Sequence, residues 1–303
     1  MKELIIIGAG PAGLSAAIYA LRAGVEVTLL DGSAPGGKLN LTAEIENWPG
    51  TKTIAGPELA YQMYEHATNL GAVVEYGQVT KIEDLGDVKV VHTDDQKFEA
   101  KAVLIASGTV ERKMGLEKEE ELTGRGVSYC AVCDGPFYKG KSVAVIGGGN
   151  SALEEANYLT KFADQVNLIV RRDVFRADKV VQDKILKNEK IKIHFLKKPL
   201  EIQAVENKVT GLKLIDSNTK VESVLEVSGI FPYLGLDPIT DFAGDLGITT
   251  DFGYIKTNEH METAVKGIYA AGDVREKVLR QVVTASNDGA IAGQAISEYL
   301  QNL

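Results

Sequence analysis

The chain has 303 residues, more than one ordinary domain usually contains, which predicts two compact domains. With 45% hydrophobic and 25% charged residues it has the composition of a globular protein, which argues against disorder, collagen and coiled coil. The net charge of −9 argues against nucleic acid as a partner, because that binding depends on clustered Lys and Arg. The apolar run at residues 4–7 is too short for a signal core or a membrane span. We therefore expect a cytoplasmic protein without membrane attachment.

The beginning of the chain has the pattern of a complete βαβ unit. A short apolar strand at residues 3–7 leads into the turn Gly-Ala-Gly-Pro-Ala-Gly at residues 8–13. Apolar positions with helical spacing follow at residues 14–22, and a second strand at residues 25–30 ends at Asp31. A G-x-G-x-x-G motif between a strand and a helix, with an acidic residue after the next strand, predicts a dinucleotide site.

Each residue of this first motif has a mechanical role. Gly8 permits the tight turn, Gly10 lets the backbone approach a pyrophosphate, and Gly13 lets the helix pack closely on the strand. The amino terminus of the helix attracts the negative charge of the pyrophosphate. Asp31 is placed to accept hydrogen bonds from a ribose diol, which indicates a nucleotide without a 2′-phosphate.

The region after the first βαβ unit is rich in strands. Residues 73–91 contain short β-branched runs broken by Gly and Asp, which predicts a small β-meander, and residues 102–108 form a buried strand that returns to the first site. The acidic run at residues 117–121 follows, and we expect a solvated linker because like charges favour an exposed chain. A domain boundary is placed near Lys113.

Both cysteines of the chain, Cys130 and Cys133, belong to one Cys-x-x-Cys motif. This pattern indicates a reducing compartment and a functional pair that interconverts between dithiol and disulfide. A zinc site would need four ligands, yet the histidines are isolated, so no metal is expected. Asp134 is the natural proton carrier for the thiols, although Asp134-Gly135 is also a strong turn signal.

The plan of the first unit recurs after the cysteines. A strand at residues 142–146 precedes a G-x-G-x-x-A turn at residues 147–152, and a helix at 153–162 leads to a strand at 166–170. Two dinucleotide sites are therefore predicted.

The second site differs from the first at the end of its second strand. Where the first unit has an acidic residue, the second has Arg171 and Arg172, with Arg176 four residues further on. Guanidinium groups bind a ribose 2′-phosphate in a bidentate fork, so this site is suited to NADPH.

The remaining sequence predicts a second meander and a return to the first domain. Residues 192–225 contain short strands, and a second boundary is placed near Pro238. A short strand leads into a Gly-Asp turn at residues 267–274, and a helix is predicted at residues 282–300.

The predicted fold is α/β, with two Rossmann-like (three-layer) nucleotide-binding domains that each contain a small inserted β-meander. The first domain comprises residues 1–113 and 240–303 and is expected to bind a dinucleotide whose ribose has no 2′-phosphate. The second comprises residues 114–239, binds NADPH and carries the redox Cys-x-x-Cys motif.

The motifs together resemble the low-molecular-weight thioredoxin reductases of bacteria, which are NADPH- and FAD-dependent disulfide oxidoreductases. The resemblance covers essentially the whole chain, and Cys-Ala-Val-Cys-Asp-Gly at residues 130–135 is its most specific segment. The other matching segments are residues 8–13, 36–37, 46–50, 106–108, 126–129, 147–152, 171–177, 272–273 and 280–281.

The resemblance implies a homodimer that passes electrons from NADPH to FAD, to the Cys130/Cys133 disulfide, and on to thioredoxin or a thioredoxin-like protein. It implies a flavin-proximal role for Cys133 and an attacking role for Cys130, with Asp134 as the third catalytic residue. It places the FAD site at Gly8, Gly10, Pro11, Ala12, Gly13, Asp31, Gly36, Gly37, Lys38, Leu39, Asn47, Val79, Ala106, Ser107, Gly108, Gly272, Asp273, Arg280, Gln281 and Val282. It places the NADPH site at Gly147, Gly149, Asn150, Ser151, Arg171, Arg172 and Arg176.

The chain departs from the family pattern at three positions. Val170 stands where a His usually precedes the two arginines, so one phosphate-facing group of the NADPH site is missing from the pattern. Lys38 stands where Gln is usual and would place a cation near the flavin, and Asn287 replaces a Gly. The alternatives are a flavin thioredoxin reductase that uses ferredoxin or another donor in place of NADPH, and a flavin-dependent dithiol oxidase.

Overall fold

The computed structural model describes residues 1–42 and 44–303 as two compact units. The first unit consists of Met1–Val110 and Asp237–Leu303, and the second consists of Glu111–Leu236. The second unit is therefore an insertion in the first. None of the helices in residues 1–42 and 44–303 combines the length and the apolar composition of a membrane span.

The elements are numbered in chain order. The strands are β1 (Lys2–Ile7), β2 (Val27–Asp31), β3 (Val73–Tyr76), β4 (Val79–Asp84), β5 (Lys89–Thr93), β6 (Lys97–Ile105), β7 (Thr109–Glu111), β8 (Ser142–Ile146), β9 (Gln165–Val170), β10 (Ile191–Phe195), β11 (Lys197–Val205), β12 (Lys208–Asp216), β13 (Glu222–Glu226), β14 (Gly229–Pro232), β15 (Leu236–Pro238) and β16 (Ile268–Ala270). The α-helices are α1 (Pro11–Arg22), α2 (Gly56–Asn69), α3 (Ala131–Asp134), α4 (Asn150–Leu159), α5 (Lys179–Leu186) and α6 (Val282–Gln301). Short 3-10 helices span Gly37–Leu41, Gly135–Tyr138, Asp241–Leu246 and Gly272–Val274.

The first unit is built on a largely parallel sheet with β1 at its centre. Strand β1 pairs in parallel with β2 and β6, β2 pairs with β3, and β16 pairs with β6. Strands β4 and β5 extend the sheet in antiparallel pairing beyond β6. Ile7 is in register with Leu30 and Ile105, so the carboxyl ends of three strands meet at one edge. Ligands of open α/β sheets bind at this edge.

Close packing of two helices covers one face of this sheet. Helix α1 begins with Pro11, whose fixed φ suits the first helical position. Helix α6 lies against α1 through Gly289 and Gly293. A Cβ at Gly289 would lie 2.1 Å from the Ala12 carbonyl oxygen, and a Cβ at Gly293 would lie 2.6 Å from that of Ala16. The two glycines therefore set the distance between the helices.

The second unit repeats the plan on a smaller scale. Its parallel sheet has the order β10-β9-β8-β14, and strands β11, β12 and β13 form an antiparallel meander. The α/β class and the two Rossmann-like domains are confirmed. Two strands assigned to the meanders lie elsewhere: β3 and β10 are edge strands of the parallel sheets. The β-branched composition of these strands did not indicate their pairing partners.

The chain passes between the units through two segments that pair with each other. Strands β7 and β15 form a two-stranded sheet. On either side of it, the Ile239 amide donates to the Gly108 carbonyl at 3.1 Å, and the Arg112 amide donates to the Gly235 carbonyl at 2.9 Å. The entry to the inserted unit and the exit from it are thus adjacent.

Candidate active site

The first glycine turn connects β1 to α1 and is shaped by contacts that only glycine tolerates. Gly8 has φ of 101°, and a Cβ there would lie 2.4 Å from the Ala106 carbonyl oxygen. A Cβ at Gly13 would lie 1.9 Å from the Gly8 carbonyl oxygen. A Cβ at Gly10, in contrast, would meet no atom within 4 Å. The turn is therefore closely packed at Gly8 and Gly13, whereas no protein atom blocks the approach to Gly10. A pyrophosphate needs such an open approach to the backbone.

Asp31, at the end of β2, fixes the geometry of this turn. Its Oδ2 accepts the Ala9 amide at 2.6 Å, and its Oδ1 accepts the amide and the hydroxyl of Ser33 at 2.8 and 3.0 Å. Hydrogen bonds from neutral donors to a carboxylate are strong, so the side chain is held beside the turn. A carboxylate in this position can also accept from the hydroxyls of a ribose.

The Gly36-Gly37 segment lies over the same turn. The Gly36 amide donates to the Ala9 carbonyl at 2.7 Å, and a Cβ at Gly37 would be 3.4 Å from the Gly10 Cα. Lys38 and the buried Leu39 follow in the first 3-10 helix. These residues are brought to the first turn although they are more than twenty positions away in sequence.

The carboxyl-terminal part of the chain adds a third wall at the same sheet edge. The Gly272 amide, after β16, donates to Asp288 Oδ2 at 3.1 Å, and that oxygen also accepts from Arg275 at 2.8 Å and Lys277 at 2.7 Å. Asp273 Oδ1 is buried and has no hydrogen-bond partner among the described residues, and burial raises the pKa of this carboxyl. An orphaned buried oxygen of this kind fits a site whose ligand supplies a hydroxyl.

The other residues predicted for the FAD site lie in the first unit. Ser107 donates its hydroxyl to the Ile239 carbonyl at 2.7 Å. Asn47 donates its side-chain amide to Gln281 Oε1 at 3.1 Å, where Gln281 caps α6. Val79 is a buried residue of β4, and no contact joins it to the glycine turn among the hydrogen bonds of the described residues. The first unit also contains the five other positions predicted for the FAD site, which are Pro11, Ala12, Gly108, Arg280 and Val282.

The second glycine turn connects β8 to α4 in the inserted unit. The Gly147 amide donates to the Ile169 carbonyl at 3.0 Å, and a Cβ at Gly147 would lie 2.5 Å from the Tyr233 carbonyl oxygen. A Cβ at Gly149 would meet nothing within 4 Å, so this turn is also open in front. Asn150, the first residue of α4, donates to Asp178 Oδ2 at 2.8 Å.

Three arginines lie beside the second turn. Arg171, Arg172 and Arg176 are exposed, and the Arg176 amide donates to the Gly148 carbonyl at 2.7 Å. Exposed guanidinium groups next to a glycine turn are suited to a phosphate on the nucleotide. Ser151, also predicted for this site, is exposed in the first turn of α4.

Val170 has a structural role at the end of β9. Its side chain is 3% exposed, and its Cγ1 would lie 3.0 Å from a Cβ at Gly148. The side chain therefore packs beneath the glycine turn and does not face the solvent side, where the arginines lie. The absence of His at this position does not open a gap in the site.

The two cysteines form a disulfide around the start of the short helix α3. The Cα atoms of Cys130 and Cys133 are 5.3 Å apart. The Cys133 amide donates to Cys130 Sγ at 3.1 Å, and the Asp134 amide donates to the Cys130 carbonyl at 3.1 Å. Ser128 Oγ accepts the Cys130 amide and donates to the Cys130 carbonyl, at 3.1 and 3.2 Å. Cys133 is exposed, whereas Cys130 and Asp134 are half-buried.

The predicted solvated linker at residues 117–121 is wrong for Glu119. This side chain is 2% exposed, and its carboxylate accepts the backbone amides of residues 114–116 at 2.8 to 3.3 Å and the hydroxyl of Tyr129. Four donors compensate the burial of one charge. Sequence reasoning missed this residue because Tyr129 is ten positions away and nothing local indicates that the two side chains meet.

Sequence reasoning also missed Glu155 and Tyr233 in the inserted unit. Glu155 Oε2 is buried and has no hydrogen-bond partner in the described part of the chain, and burial raises the pKa of Glu155 to about 7. The Tyr233 hydroxyl accepts the Ala131 amide at 3.4 Å, next to the disulfide. A Glu within a helix is usually solvated, so only the fold shows that this carboxyl is buried. Residues 1–42 and 44–303 contain no cluster of His, Cys, Asp and Glu that could hold a metal ion.

Comparison with known proteins gives the same assignment along the whole chain. A family model described as pyridine nucleotide-disulphide oxidoreductase matches residues 2–289. The thioredoxin reductase of Bacillus subtilis (strain 168) is 46% identical over 301 residues, which cover 99% of this chain and 95% of that protein.

Solved structures agree with the sequence relatives. The Lactococcus lactis thioredoxin reductase in its FR conformation superimposes with a TM-score of 0.98 at 45% identity, covering 100% of both chains. The T. acidophilum thioredoxin reductase superimposes with a TM-score of 0.94 at 36% identity, covering 98% of this chain and 97% of that one. The chain therefore belongs to the pyridine nucleotide-disulphide oxidoreductase family and, within it, to the thioredoxin reductases.

Proposed function

We propose that this oxidoreductase uses NADPH and FAD to reduce the disulfide of thioredoxin or a thioredoxin-like protein through its own Cys130–Cys133 disulfide. The observation that carries the proposal is the position of that disulfide. It lies in the inserted unit, which also holds the second glycine turn, while the first unit holds a separate turn with Asp31. Two dinucleotide turns and one redox pair are the parts that an electron chain from a nicotinamide through a flavin to a disulfide requires.

The first unit is proposed to bind FAD. Asp31 would hold the ribose, the open face at Gly10 would admit the pyrophosphate, and the buried Asp273 oxygen would accept from a hydroxyl of the cofactor. FAD, when bound, supplies two-electron transfer between a nicotinamide and a disulfide.

The inserted unit is proposed to bind NADPH at its glycine turn. Arg171, Arg172 and Arg176 would hold the 2′-phosphate, and the amino terminus of α4 would attract the pyrophosphate. Val170 supports the turn from below and leaves the phosphate to the arginines. The preference for NADPH over NADH then depends on the guanidinium groups alone.

The residues around the disulfide are proposed to manage its protons and its attack on the partner. Asp134, one residue after Cys133, holds the proton that a departing thiolate takes up. The Cys133 amide stabilises negative charge on Cys130 Sγ. Paired redox cysteines in a chain without further disulfides support a reducing, cytoplasmic compartment. The family resemblance supports a homodimer.

Rapid mixing of the purified flavoprotein with NADPH, NADH or reduced ferredoxin tests the proposal. We expect NADPH to bleach the flavin absorbance fastest, with NADH slower because it lacks the 2′-phosphate. Subsequent addition of oxidised thioredoxin should restore the flavin absorbance and produce thiols. Reduction by ferredoxin alone would identify the other donor class, and a protein without flavin bands after reconstitution with FAD would refute the cofactor assignment.

A further inference from the structure

One face of helix α4 runs from the second glycine turn to residues 130–135, which we call the disulfide segment. Near its start, the Ala152 Cβ would lie 2.7 Å from a Cβ at Gly147. Near its end, the Leu159 Cδ2 would lie 3.3 Å from a Cβ at Gly135, just after the Cys-x-x-Cys motif. Glu155 is three positions after Ala152 and four before Leu159, and residues with this spacing share a helix face. Its carboxyl group thus lies between the two parts.

Tyr233 bridges the same two parts from another segment. Its amide donates to the Ile146 carbonyl at 2.7 Å, and its carbonyl oxygen would lie 2.5 Å from a Cβ at Gly147. Both contacts hold the Tyr233 backbone beside the glycine turn. Its hydroxyl accepts the amide of Ala131, the residue after Cys130, at 3.4 Å. This hydrogen bond satisfies one of the free amides at the start of α3.

The charge of Glu155 acts on the Tyr233 side chain. Burial and the neighbouring Glu154 raise the pKa of Glu155, and Glu155 Oε2 has no hydrogen-bond partner among the described residues. Burial, followed by the charge of Glu155, raises the pKa of Tyr233. The carboxyl is therefore close enough for its charge to act on the side chain that contacts the disulfide segment.

The charged groups near Glu155 lie on elements other than the two strands behind it. Strands β8 and β9, which pack against α4, contain no Asp, Glu, Lys or Arg. The titratable and charged groups on or next to the other elements of this core are Cys130, Cys133, Asp134, Tyr138, Glu111, Glu154, Tyr233, Lys179, Asp183 and Lys184. Lys179 is paired with Asp183 at 2.6 Å on the exposed side of α5.

We propose that Glu155, on the α4 face between the nucleotide turn and the disulfide segment and acting through Tyr233, sets the local charge beside the two sulfurs. The inference rests on the proposed role of the disulfide. Reduction breaks the S–S bond, takes up two electrons from the reduced flavin and leaves two sulfurs that each hold a proton or a negative charge. A neutral Glu155 permits a thiolate, and an ionised Glu155 disfavours it because like charges repel.

The test measures the two thiols directly in the flavoprotein. The protein is reduced with dithiothreitol, desalted and alkylated with iodoacetamide over a range of pH, and the rate at each cysteine is followed by mass spectrometry. In Glu155→Gln, loss of the negative charge should lower the pH midpoint of alkylation. A shift of about half a pH unit corresponds to a rate about threefold higher below the midpoint.

Two further variants separate this role from a structural one. Glu154→Gln removes the same charge from the exposed face of the same helix and should leave the profile nearly unchanged. Tyr233→Phe removes the hydroxyl that contacts Ala131 and should shift the midpoint in the same direction by less. The double variant of Glu155→Gln and Tyr233→Phe should shift the alkylation midpoint by less than the sum of the two single shifts, because the effects of coupled residues are not additive.

A Glu155→Gln profile that overlays the unmodified protein, with flavin content retained, would overturn the proposal. So would an equal shift in Glu154→Gln. If Glu155→Gln does not fold, Tyr233→Phe decides, because an unmoved midpoint in that variant also overturns the proposal. Dithiothreitol reduces the disulfide without any nucleotide. The alkylation result therefore stays valid even if NADPH fails to reduce the flavin.

Discussion

The sulfurs of Cys130 and Cys133 differ in their surroundings, and this difference separates their roles. Cys133 is exposed, whereas Cys130 is half-buried and its Sγ accepts the Cys133 amide at 3.1 Å. An amide donor stabilises a thiolate, which is the attacking form of a cysteine. The hydrogen bond to Cys130 therefore agrees with the attacking role that the family resemblance implies for Cys130, and that role stays a prediction.

Single serine variants test this assignment. Cys133→Ser leaves the Cys130 thiol and should trap thioredoxin as a mixed disulfide that is visible on a non-reducing gel. Cys130→Ser should trap much less. Both variants should still be reduced by NADPH at the flavin and should lose thioredoxin turnover, because one sulfur cannot cycle between dithiol and disulfide. Trapping by Cys130→Ser alone would show that the two roles are reversed.

The arginines beside the second turn should determine nucleotide choice. Arg171 and Arg172 are exposed, so their replacement by Ala removes charge without opening the core. A charge-assisted hydrogen bond contributes about 1.5–3 kcal/mol, so the KM for NADPH should rise about tenfold or more while that for NADH changes little. Steady-state kinetics with both nucleotides give the ratio. Lys187→Ala, at an exposed lysine after α5, is the control for loss of positive charge.

At the scale of elements, the end of β9 gives a prediction opposite to that from the family pattern. Val170 is 3% exposed and packs beneath Gly148, so Val170→His would bury an imidazole without a partner. We expect the free energy of unfolding to fall by about 1–3 kcal/mol, with no tighter binding of NADPH. Urea unfolding and the KM for NADPH measure the two effects.

A neighbouring position provides the control for Val170→His. Val174 is 58% exposed, so Val174→His should leave the free energy of unfolding nearly unchanged. An unchanged stability in Val170→His together with a lower KM for NADPH would show that an imidazole at this position reaches the phosphate, and the packing argument would then fail.

The elements that sequence predicted well are those with local signals. The turn at residues 8–13 follows an apolar strand, and the turn at 147–152 repeats it, so both appear where expected. The pairing of β3 and β10 depends on strands far along the chain and was missed. The burial of Glu119 and Glu155 was also missed, because charged residues are mostly exposed and only the assembled fold encloses them.

The whole molecule should unfold in two steps if its two units are stabilised by different ligands. FAD is proposed to bind Met1–Val110 with Asp237–Leu303, and NADPH to bind Glu111–Leu236. A ligand at about 100 times its Kd stabilises its own unit by about 2.7 kcal/mol. Scanning calorimetry of the apoprotein should therefore show FAD raising one transition and NADP+ raising the other. A single transition moved equally by both ligands would show that the units unfold together.

The pairing of β7 with β15 makes the inserted unit a module with neighbouring ends. Gly108 and Ile239 are hydrogen-bonded on one side of the pair, and Arg112 and Gly235 on the other. A short turn could therefore replace all of Glu111–Leu236 without separating the two segments of the first unit, since closing a short loop costs little entropy. The same geometry would let a gene acquire or exchange the inserted unit without redesigning the host domain.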